Sequence, residues 1–307
     1  MKSGFIAITG RPNVGKSTLV NSLMGLKITA VSPKPQTTRI RITGIIHLPE
    51  AQIILWDCPG LFQTKDDFNK KLIKIALASL YEIDIILWII DCTSLHHKDD
   101  EYILHILKRT AKHAKSNSSA TFLLINKIDK INKKELLPLI DYYKDQYNFA
   151  EIIPISALKG INVDLLKNKI IEYLPEGPQY FPDNTITDIP KELLLSEFIR
   201  EKIYLHTHQE IPYATGVVIN EIRKIDNKNM LVIHADIIVN RYSLKKILVG
   251  SKGQMIKKIG MSARQDIESF ISNEMNPPPK VYLELFVKVK ENWKDDAYLM
   301  QSMGLIP

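Results

Sequence analysis

The chain has 307 residues, 45% hydrophobic and 24% charged, a globular composition that excludes a disordered or collagen-like polymer. At this length two domains are expected. Lys and Arg number 41 against 34 Asp and Glu, a net charge of +7, which admits a nucleic-acid or acidic-membrane partner without demanding one.

Two cysteines, Cys58 and Cys92, cannot build a disulfide framework and suit a reducing cytosol. The longest apolar run, Ile85 to Ile90, falls far short of the ~20 residues of a membrane span. Met1-Lys2-Ser3-Gly4 leads straight into the strand-like Phe5–Thr9 with no targeting pattern, so a soluble intracellular protein is expected.

Gly10-Arg11-Pro12-Asn13-Val14-Gly15-Lys16-Ser17 follows that first strand and precedes a helical stretch, Thr18–Gly25. This is GxxxxGK[ST] in the strand–loop–helix context of a phosphate-binding loop. Its backbone N–H groups would face phosphate oxygens at a helix N-terminus. Lys16 would reach the β- and γ-phosphates, and Ser17 would offer a hydroxyl to Mg²⁺. Gln36-Thr37-Thr38-Arg39 comes next, in a loop able to reach the metal and the γ-phosphate. Thr38 is the favoured ligand there, with Thr37 the alternative.

Strands over Arg41–His47 and Gln52–Asp57 follow. The second ends on Asp57-Cys58-Pro59-Gly60, which puts a carboxylate at a strand's C-terminal edge, where Asp57 would hold Mg²⁺ and the Gly60 N–H would meet the γ-phosphate. Leu61 stands after it, so no glutamine adjoins this motif to orient water, and slow intrinsic hydrolysis is expected. Helices over Leu72–Leu80 and Lys98–Ala114 flank a buried strand, Ile85–Asp91. The strand Thr121–Asn126 runs into Asn126-Lys127-Ile128-Asp129. A carboxylate at Asp129 would accept both N1–H and the 2-amino group of guanine, donors that adenine lacks. Asn126 would brace neighbouring loops and the Lys127 stem would lie along the base. After a sixth strand, Glu151–Ile155, Ser156-Ala157-Leu158 would give a backbone N–H to guanine O6. Strands interleaved with helices predict a mainly parallel sheet covered on both faces.

Pro175-Glu176-Gly177-Pro178 and Pro182 break the pattern and predict a linker. The order then changes: helix Lys191–His206, strands Tyr213–Arg223 and Met230–Asn240, helices Leu244–Val249 and Gln254–Asn273 joined by Gly250-Ser251-Lys252-Gly253, and strand Val281–Lys290. A GxxG turn between two helices is where backbone comes close to nucleic-acid phosphates. Around it lie Arg241, Lys245, Lys246, Lys252, Lys257, Lys258 and Arg264 with no acidic residue among them, although the region from 181 onward has 17 basic and 16 acidic residues. The candidate RNA contacts are therefore Arg241, Lys245, Lys246, Gly250, Ser251, Lys252, Gly253, Lys257 and Lys258. Ile247, Val249, Met255, Ile256 and Ile259 are expected in the core, one or two of them lining a base-binding groove. His96-His97 and His206/His208 lack partners at metal-ligand spacing, and no zinc is expected.

GRPNVGKST, QTTR, DCPG, NKID and SALKG, followed by GSKG in a second domain, resemble the Era family of bacterial GTPases. The resemblance extends over essentially the whole chain, including Ser196–Lys202, Ile211-Pro212-Tyr213 and Val287–Trp293. It implies an α/β Ras-like P-loop GTPase domain (residues 1–175), a linker (176–189) and a smaller α+β type II KH domain (190–307). It also implies a Mg²⁺-dependent switch that binds GTP and GDP through residues 10–18 (Gly10 to Thr18), Asp57, Gly60, Asn126, Lys127, Asp129 and Ser156–Leu158. Lys16, Thr38 and Gly60 would serve catalysis, and Ser17, Thr38 and Asp57 the metal.

The implied partners are the 3′ region of small-subunit ribosomal RNA and the small ribosomal subunit, whose maturation the family serves. The implied state is a cytoplasmic monomer, with peripheral inner-membrane contact in some members. By analogy with related GTPases, Asn13 would help hold a K⁺ ion. A second reading, a peripheral membrane GTPase whose basic face binds anionic lipid, fits the charge but leaves the GxxG without a purpose. An ATP-dependent kinase leaves NKID without one.

Overall fold

The computed structural model describes residues 1–80, 83–94, 97–113 and 119–306, with residues 111–113 described by backbone alone. His96 and Ala114, invoked above, lie outside the described residues. The chain divides into two compact units, Met1–Leu26 with Thr38–Asp188, and Lys27–Thr37 with Ile189–Pro307.

The first unit is a six-stranded sheet of β1 (Lys2–Thr9), β2 (Ile42–Leu48), β3 (Ala51–Asp57), β4 (Ile85–Asp91), β5 (Ala120–Asn126) and β6 (Glu151–Pro154), in the order β2-β3-β1-β4-β5-β6. All pairings are parallel except β2 with β3, which are joined by a tight turn. The near-continuous apolar runs follow from coverage on both faces: every residue of β4 is buried. The helices are α1 (Lys16–Met24), α2 (Asp67–Ala78), α3 (Lys98–His113), α4 (Lys133–Lys144) and α5 (Val163–Tyr173). Asp66 caps α2 by accepting from the Asn69 N–H at 2.8 Å, which satisfies one of the orphan donors of the first turn. Trp88 of β4 packs edge-on against Tyr143 of α4 at 5.7 Å, in a core that also holds Ile103 and Leu107 of α3. The register sets Ile8 opposite Asp57 and Asp91 opposite Asn126, so strands that are apolar along their length end together on polar groups at the carboxyl edge of the sheet, where α/β sheets bind ligands.

The proline-bearing stretch expected as a linker over 176–189 differs from that expectation. Residues up to Asp188 belong to the first unit. Gly177 N–H donates to Met1 O at 2.9 Å and Ile45 N–H to Ile186 O at 2.9 Å. The fully buried Gln52 accepts from the Tyr180 and Phe181 N–H groups at 2.8 and 3.0 Å. Proline stops a helix here, but it does not stop an extended strand of chain from docking by its remaining backbone groups.

The second unit has α6 (Lys191–His206), β7 (Thr215–Ile225), β8 (Met230–Val239), α7 (Tyr242–Val249), α8 (Gln254–Glu274), β9 (Lys280–Val289) and a short α9 (Ala297–Ser302) that the sequence pattern did not announce. Its sheet runs β7-β8-β9, antiparallel then parallel. Ile233, Ala235 and Ile237 on alternate positions of β8 are fully buried, and Phe198 of α6 meets Phe270 of α8 at 5.8 Å. Asp296 caps α9 through the Leu299 N–H at 2.9 Å.

Segment 27–37 belongs to this unit although it precedes Thr38 in sequence. Lys27 pairs with Glu201 of α6 at 2.7 Å, and the Glu201 Oε2 accepts from Val31 N–H at 3.0 Å. Tyr204 Oη donates to Gln36 O at 3.1 Å, and Arg200 donates to Thr37 O.

Candidate nucleotide site and nucleic-acid groove

The phosphate-binding loop leaves β1 and enters α1 with both its glycines at positive φ, +151° at Gly10 and +103° at Gly15. A side chain at Gly15 would stand 2.3 Å from Asn126 Nδ2, so this position is closed to any other residue by space as well as by conformation. Asn126 reaches in both directions from the end of β5. Its Nδ2 donates to Val14 O at 2.7 Å, and its Oδ1 accepts from Ala157 N–H at 2.9 Å. One buried amide thereby ties the loop at 10–17 to the loop at 156–158. Asp129 Oδ1 accepts from Ser156 Oγ at 2.5 Å, which fixes the carboxylate against the loop at 156–158.

Lys16 is 5% exposed and donates to Gly10 O and Arg11 O at 3.1 and 3.0 Å. Burial lowers its pKa to about 8, although the neighbouring Asp57 carboxylate pulls the other way. A desolvated ammonium beside a fully buried Asp57 is a site poised for an anion with a cation next to it. Ser17 Oγ and Thr38 Oγ1 lie 2.9 Å apart. Thr37 turns elsewhere, donating to Lys34 O at 2.8 Å and meeting Ser32 Oγ at 2.6 Å. Of the two threonines, the structure brings Thr38 to Ser17. Gly60 packs on Pro12, 2.8 Å separating its would-be Cβ from the Pro12 nitrogen, and Leu61 N–H donates to Gly10 O at 3.1 Å. Leu61 itself is fully buried.

In the second unit, Gly250 closes α7 at φ +72°, and a Cβ there would meet Met255 at 2.8 Å. Gly253, at φ +77°, faces open space. Ser251, Lys252, Lys257 and Lys258 are exposed around this turn, as are Arg241 and Lys246, while Lys245 is half-buried. Beyond it an open groove of ≈ 330 Å³ runs between α8 and the edge strand β9, lined by Ile256, Lys257, Gly260, Met261 and Arg264 on one side and Tyr282 to Leu285 on the other. Ile256 thus lines the groove, Ile259 is fully buried, and Ile247 is exposed.

Residues 5–127 match the family model of the 50S ribosome-binding GTPases, and residues 210–294 match the KH domain model. GTPase Era of Syntrophus aciditrophicus is 43% identical over 303 residues, covering 99% of this chain and 95% of the relative, and GTPase Era of Geobacter metallireducens is 41% identical over 303 residues, covering 99% and 97%. This chain belongs to the Era GTPase family. Among solved structures, a variant of Aquifex aeolicus Era bound to GDP·AlF₄⁻ superposes with a TM-score of 0.90 at 43% identity, and Era in complex with MgGDPNP and nucleotides 1506–1542 of 16S ribosomal RNA with 0.89 at 43%, each covering 100% of both chains. The fold is therefore the Ras-like GTPase domain followed by the KH domain, and the enzyme is a GTPase.

One of those Era structures carries MgGDPNP, and the residues present here fit Mg²⁺. The paired hydroxyls of Ser17 and Thr38, and a fully buried carboxylate at Asp57 close to the neighbouring Lys16, are hard oxygen donors, the chemistry Mg²⁺ prefers.

Three carboxylates of this Era-family GTPase went unnoticed in the sequence. Asp100, 3% exposed at the start of α3, pairs with Arg11 at 3.0 Å, while Arg11 also donates to Ser94 O at 3.0 Å. Its neighbour Asp99 accepts from Gln63 N–H at 3.1 Å, so two successive acids hold the phosphate-binding loop and the segment after Gly60. Asp91, ending β4, meets Lys127. A signal existed for Asp91: it terminates a buried run as Asp57 and Asn126 do. None existed for Asp99 or Asp100, which sit in an ordinary acidic first turn of a helix.

Proposed function

We propose that this GTPase is a nucleotide-controlled RNA grip that acts in assembly of the small ribosomal subunit, with single-stranded RNA from the 3′ region of small-subunit ribosomal RNA as its ligand. The observation that carries the reading is the groove between α8 and β9. It opens beside a GxxG turn whose second glycine faces open space, and it is flanked by exposed lysines. Phosphates would run along Gly250–Gly253 with Lys252, Lys257 and Lys258 as counter-charges, while bases would enter toward Ile256, Met261 and the edge of β9. Arg241, Lys245, Lys246 and Ser251 extend the same basic face. The Era structure with a 16S ribosomal RNA fragment and MgGDPNP supports both the ligand and the nucleotide state.

At the nucleotide site, the backbone of Gly10 to Thr18 would wrap the phosphates and Lys16 would turn from the carbonyls it now holds to the β- and γ-phosphates. Ser17, Thr38 and Asp57 would hold Mg²⁺, which neutralises charge on the transferring phosphoryl group. The Gly60 N–H would face the γ-phosphate. Asp129 would read the guanine edge, and the loop of Ser156, Ala157 and Leu158 would give a backbone N–H to O6. Buried Leu61 leaves water positioning to other groups, so hydrolysis would set a lifetime for the RNA-bound state. Order in loops 32–41 and 60–70 would follow the γ-phosphate. Asn13, exposed on the loop at φ +64°, is the residue to which a K⁺ requirement would trace. The protein would work as a cytoplasmic monomer. Among the described residues no helix is long and apolar enough to cross a membrane, and any contact with the inner membrane would be peripheral.

The test is binding of a single-stranded RNA copying the 3′ end of small-subunit ribosomal RNA, to protein loaded with a non-hydrolysable GTP analogue or with GDP. Gly253→Asp is the cleaner probe, because Gly250→Asp would also collide with Met255. Tight, GTP-favoured binding that Gly253→Asp and Lys252→Glu weaken supports the grip. Equal, weak binding in both nucleotide states, erased by moderate salt, overturns it and makes anionic lipid the next target.

A further inference from the structure

Asp91 is the last residue of β4 and stands opposite Asn126 in the parallel pairing with β5. The Cys92 N–H donates to Asn126 O at 3.1 Å, so the two strand ends are locked one residue beyond the register. Lys127 then takes a left-handed conformation, φ +69° and ψ +30°. Its Nζ donates to Asp91 Oδ2 at 2.5 Å and to Asn13 O at 2.8 Å. The other oxygen of Asp91 is occupied: Oδ1 accepts from the Thr93 N–H at 2.9 Å and from Thr93 Oγ1 at 2.7 Å. The Asp91 side chain is 9% exposed and that of Lys127 26%. Burial works against the charge on Asp91, yet the bonds from Lys127 and Thr93 hold its carboxyl below the usual carboxylate range.

A lysine stem has four rotatable bonds and about 2 kcal/mol of rotamer entropy to lose on being fixed. Here its tip is held by two acceptors at once, a backbone carbonyl of the phosphate-binding loop and a carboxylate that is itself immobilised from behind. The stem between the backbone and that held tip is the part of Lys127 that lies along the guanine plane in the proposed nucleotide site, a reading on which this inference rests. We propose that Asp91 is a positioning residue for guanine-nucleotide binding: it fixes the Lys127 stem across the base site before nucleotide arrives. Binding then orders nothing further at that side chain, and the bound nucleotide leaves more slowly. Asp91 acts on the face of the base and not on its edge. Loss of Asp91 therefore weakens guanosine and inosine nucleotides equally, whereas the 2-amino group that inosine lacks is read by Asp129.

The experiment uses the full chain with Mg²⁺ and follows dissociation of fluorescently labelled GDP and IDP by stopped flow, together with single-turnover hydrolysis of saturating GTP. The variants are Asp91→Asn, Lys127→Met and the double variant, with Thr93→Val as a milder second probe that leaves the Asp91–Lys127 bond in place but loosens the carboxylate. A bond between charged groups predicts that Asp91→Asn speeds GDP and IDP release by the same factor, about tenfold, and that Thr93→Val speeds both less. Hydrolysis from the saturated Thr93→Val complex is expected to stay within about twofold, and the double variant to release no faster than Lys127→Met. Wild-type release in Asp91→Asn beside fast release in Lys127→Met overturns the role of Asp91 alone. Multiplying effects in the double variant do so too, because Asp91 would then act elsewhere. Wild-type release in Lys127→Met overturns the assignment of the base site itself, and the inference with it.

Discussion

Ser17 and Thr38 meet hydroxyl to hydroxyl at 2.9 Å, the first at the mouth of the phosphate-binding loop and the second 21 residues later in a loop without regular structure. The adjacent Thr37 spends its hydroxyl on Lys34 O and Ser32. The two threonines should therefore separate by mutation. Thr38→Ala is expected to slow single-turnover GTP hydrolysis on the order of 10²-fold, the scale of one preorganised electrostatic group, and to raise the Mg²⁺ concentration needed for half-maximal rate. Thr37→Ala loses one neutral hydrogen-bonding hydroxyl, about 1 kcal/mol, and should slow hydrolysis no more than about fivefold. A Mg²⁺ titration of single-turnover rates in both variants decides; equal losses would undo the distinction.

Lys16 gives a prediction in pH. Its pKa is lowered to about 8 with burial as the main cause, so in nucleotide-free protein the ammonium is intact at pH 7 and mostly lost at pH 9. Phosphates need it charged and raise its pKa on binding. A unit below its pKa, binding takes up almost no proton at Lys16, near pH 8 about half of one, and a unit above most of one, so that affinity should there fall by up to about tenfold per pH unit. Calorimetry of GDP binding at pH 8.5 in two buffers of different ionisation enthalpy measures the uptake directly. Proton release, or none, would show that Lys16 is fully charged in the empty site.

What the sequence could convey differs between residues for physical reasons. Strand ends carrying Asp57, Asn126 and Ser156 were legible because each closes a short buried run, and the order of such ends constrains a parallel sheet. Position in the loop favours Thr38 but leaves Thr37 as an alternative, since two neighbouring hydroxyls differ only in where the backbone aims them. Nothing in the sequence marks segment 27–37 as part of the second unit. Beside the Lys27–Glu201 ion pair, its attachment to α6 runs through the carbonyls of Gln36 and Thr37 and the N–H of Val31, backbone groups that carry no sequence signal. Helix α6 itself hides its nature: Glu197, Arg200, Glu201 and Lys202 look like a solvated face, yet all four are at most 8% exposed, because each is paired by a charge from the same unit. The docked stretch 176–188 misleads in the opposite sense, its prolines suggesting a free tether where Gln52 and the edge of β2 hold the chain.

Arg200 allows a stability test of that buried network. It is 3% exposed, bonds Glu197 through Nε at 2.7 Å, donates to Thr37 O and lies 5.2 Å from the centre of the Tyr204 ring. Arg200→Ala leaves Glu197 buried without its countercharge, a change that costs about 3–5 kcal/mol. Hydrogen exchange in peptides from α6 and from residues 27–37 should accelerate together, and the Glu197→Gln/Arg200→Met pair should recover part of the loss. Faster exchange in α6 with residues 27–37 unchanged would mean that Arg200 serves the helix alone.

The groove between α8 and β9 yields the last prediction, in two variables that separate charge from stacking. Lys252 and Lys257 are exposed beside the GxxG turn. If each neutralises one phosphate of single-stranded RNA, replacing either with Ala lowers the slope of log K against log salt by about 0.7. Met261 is 54% exposed on the groove wall and carries no charge. Met261→Ser should weaken RNA binding by about 1–3 kcal/mol if a base rests on it while leaving the salt slope unchanged, and its exposure predicts little effect on the melting temperature. Fluorescence anisotropy across a salt series reads both quantities from one set of titrations. A Met261→Ser variant that binds like wild type would move the bases out of this groove, and a lysine variant with an unaltered slope would remove the phosphates from the turn.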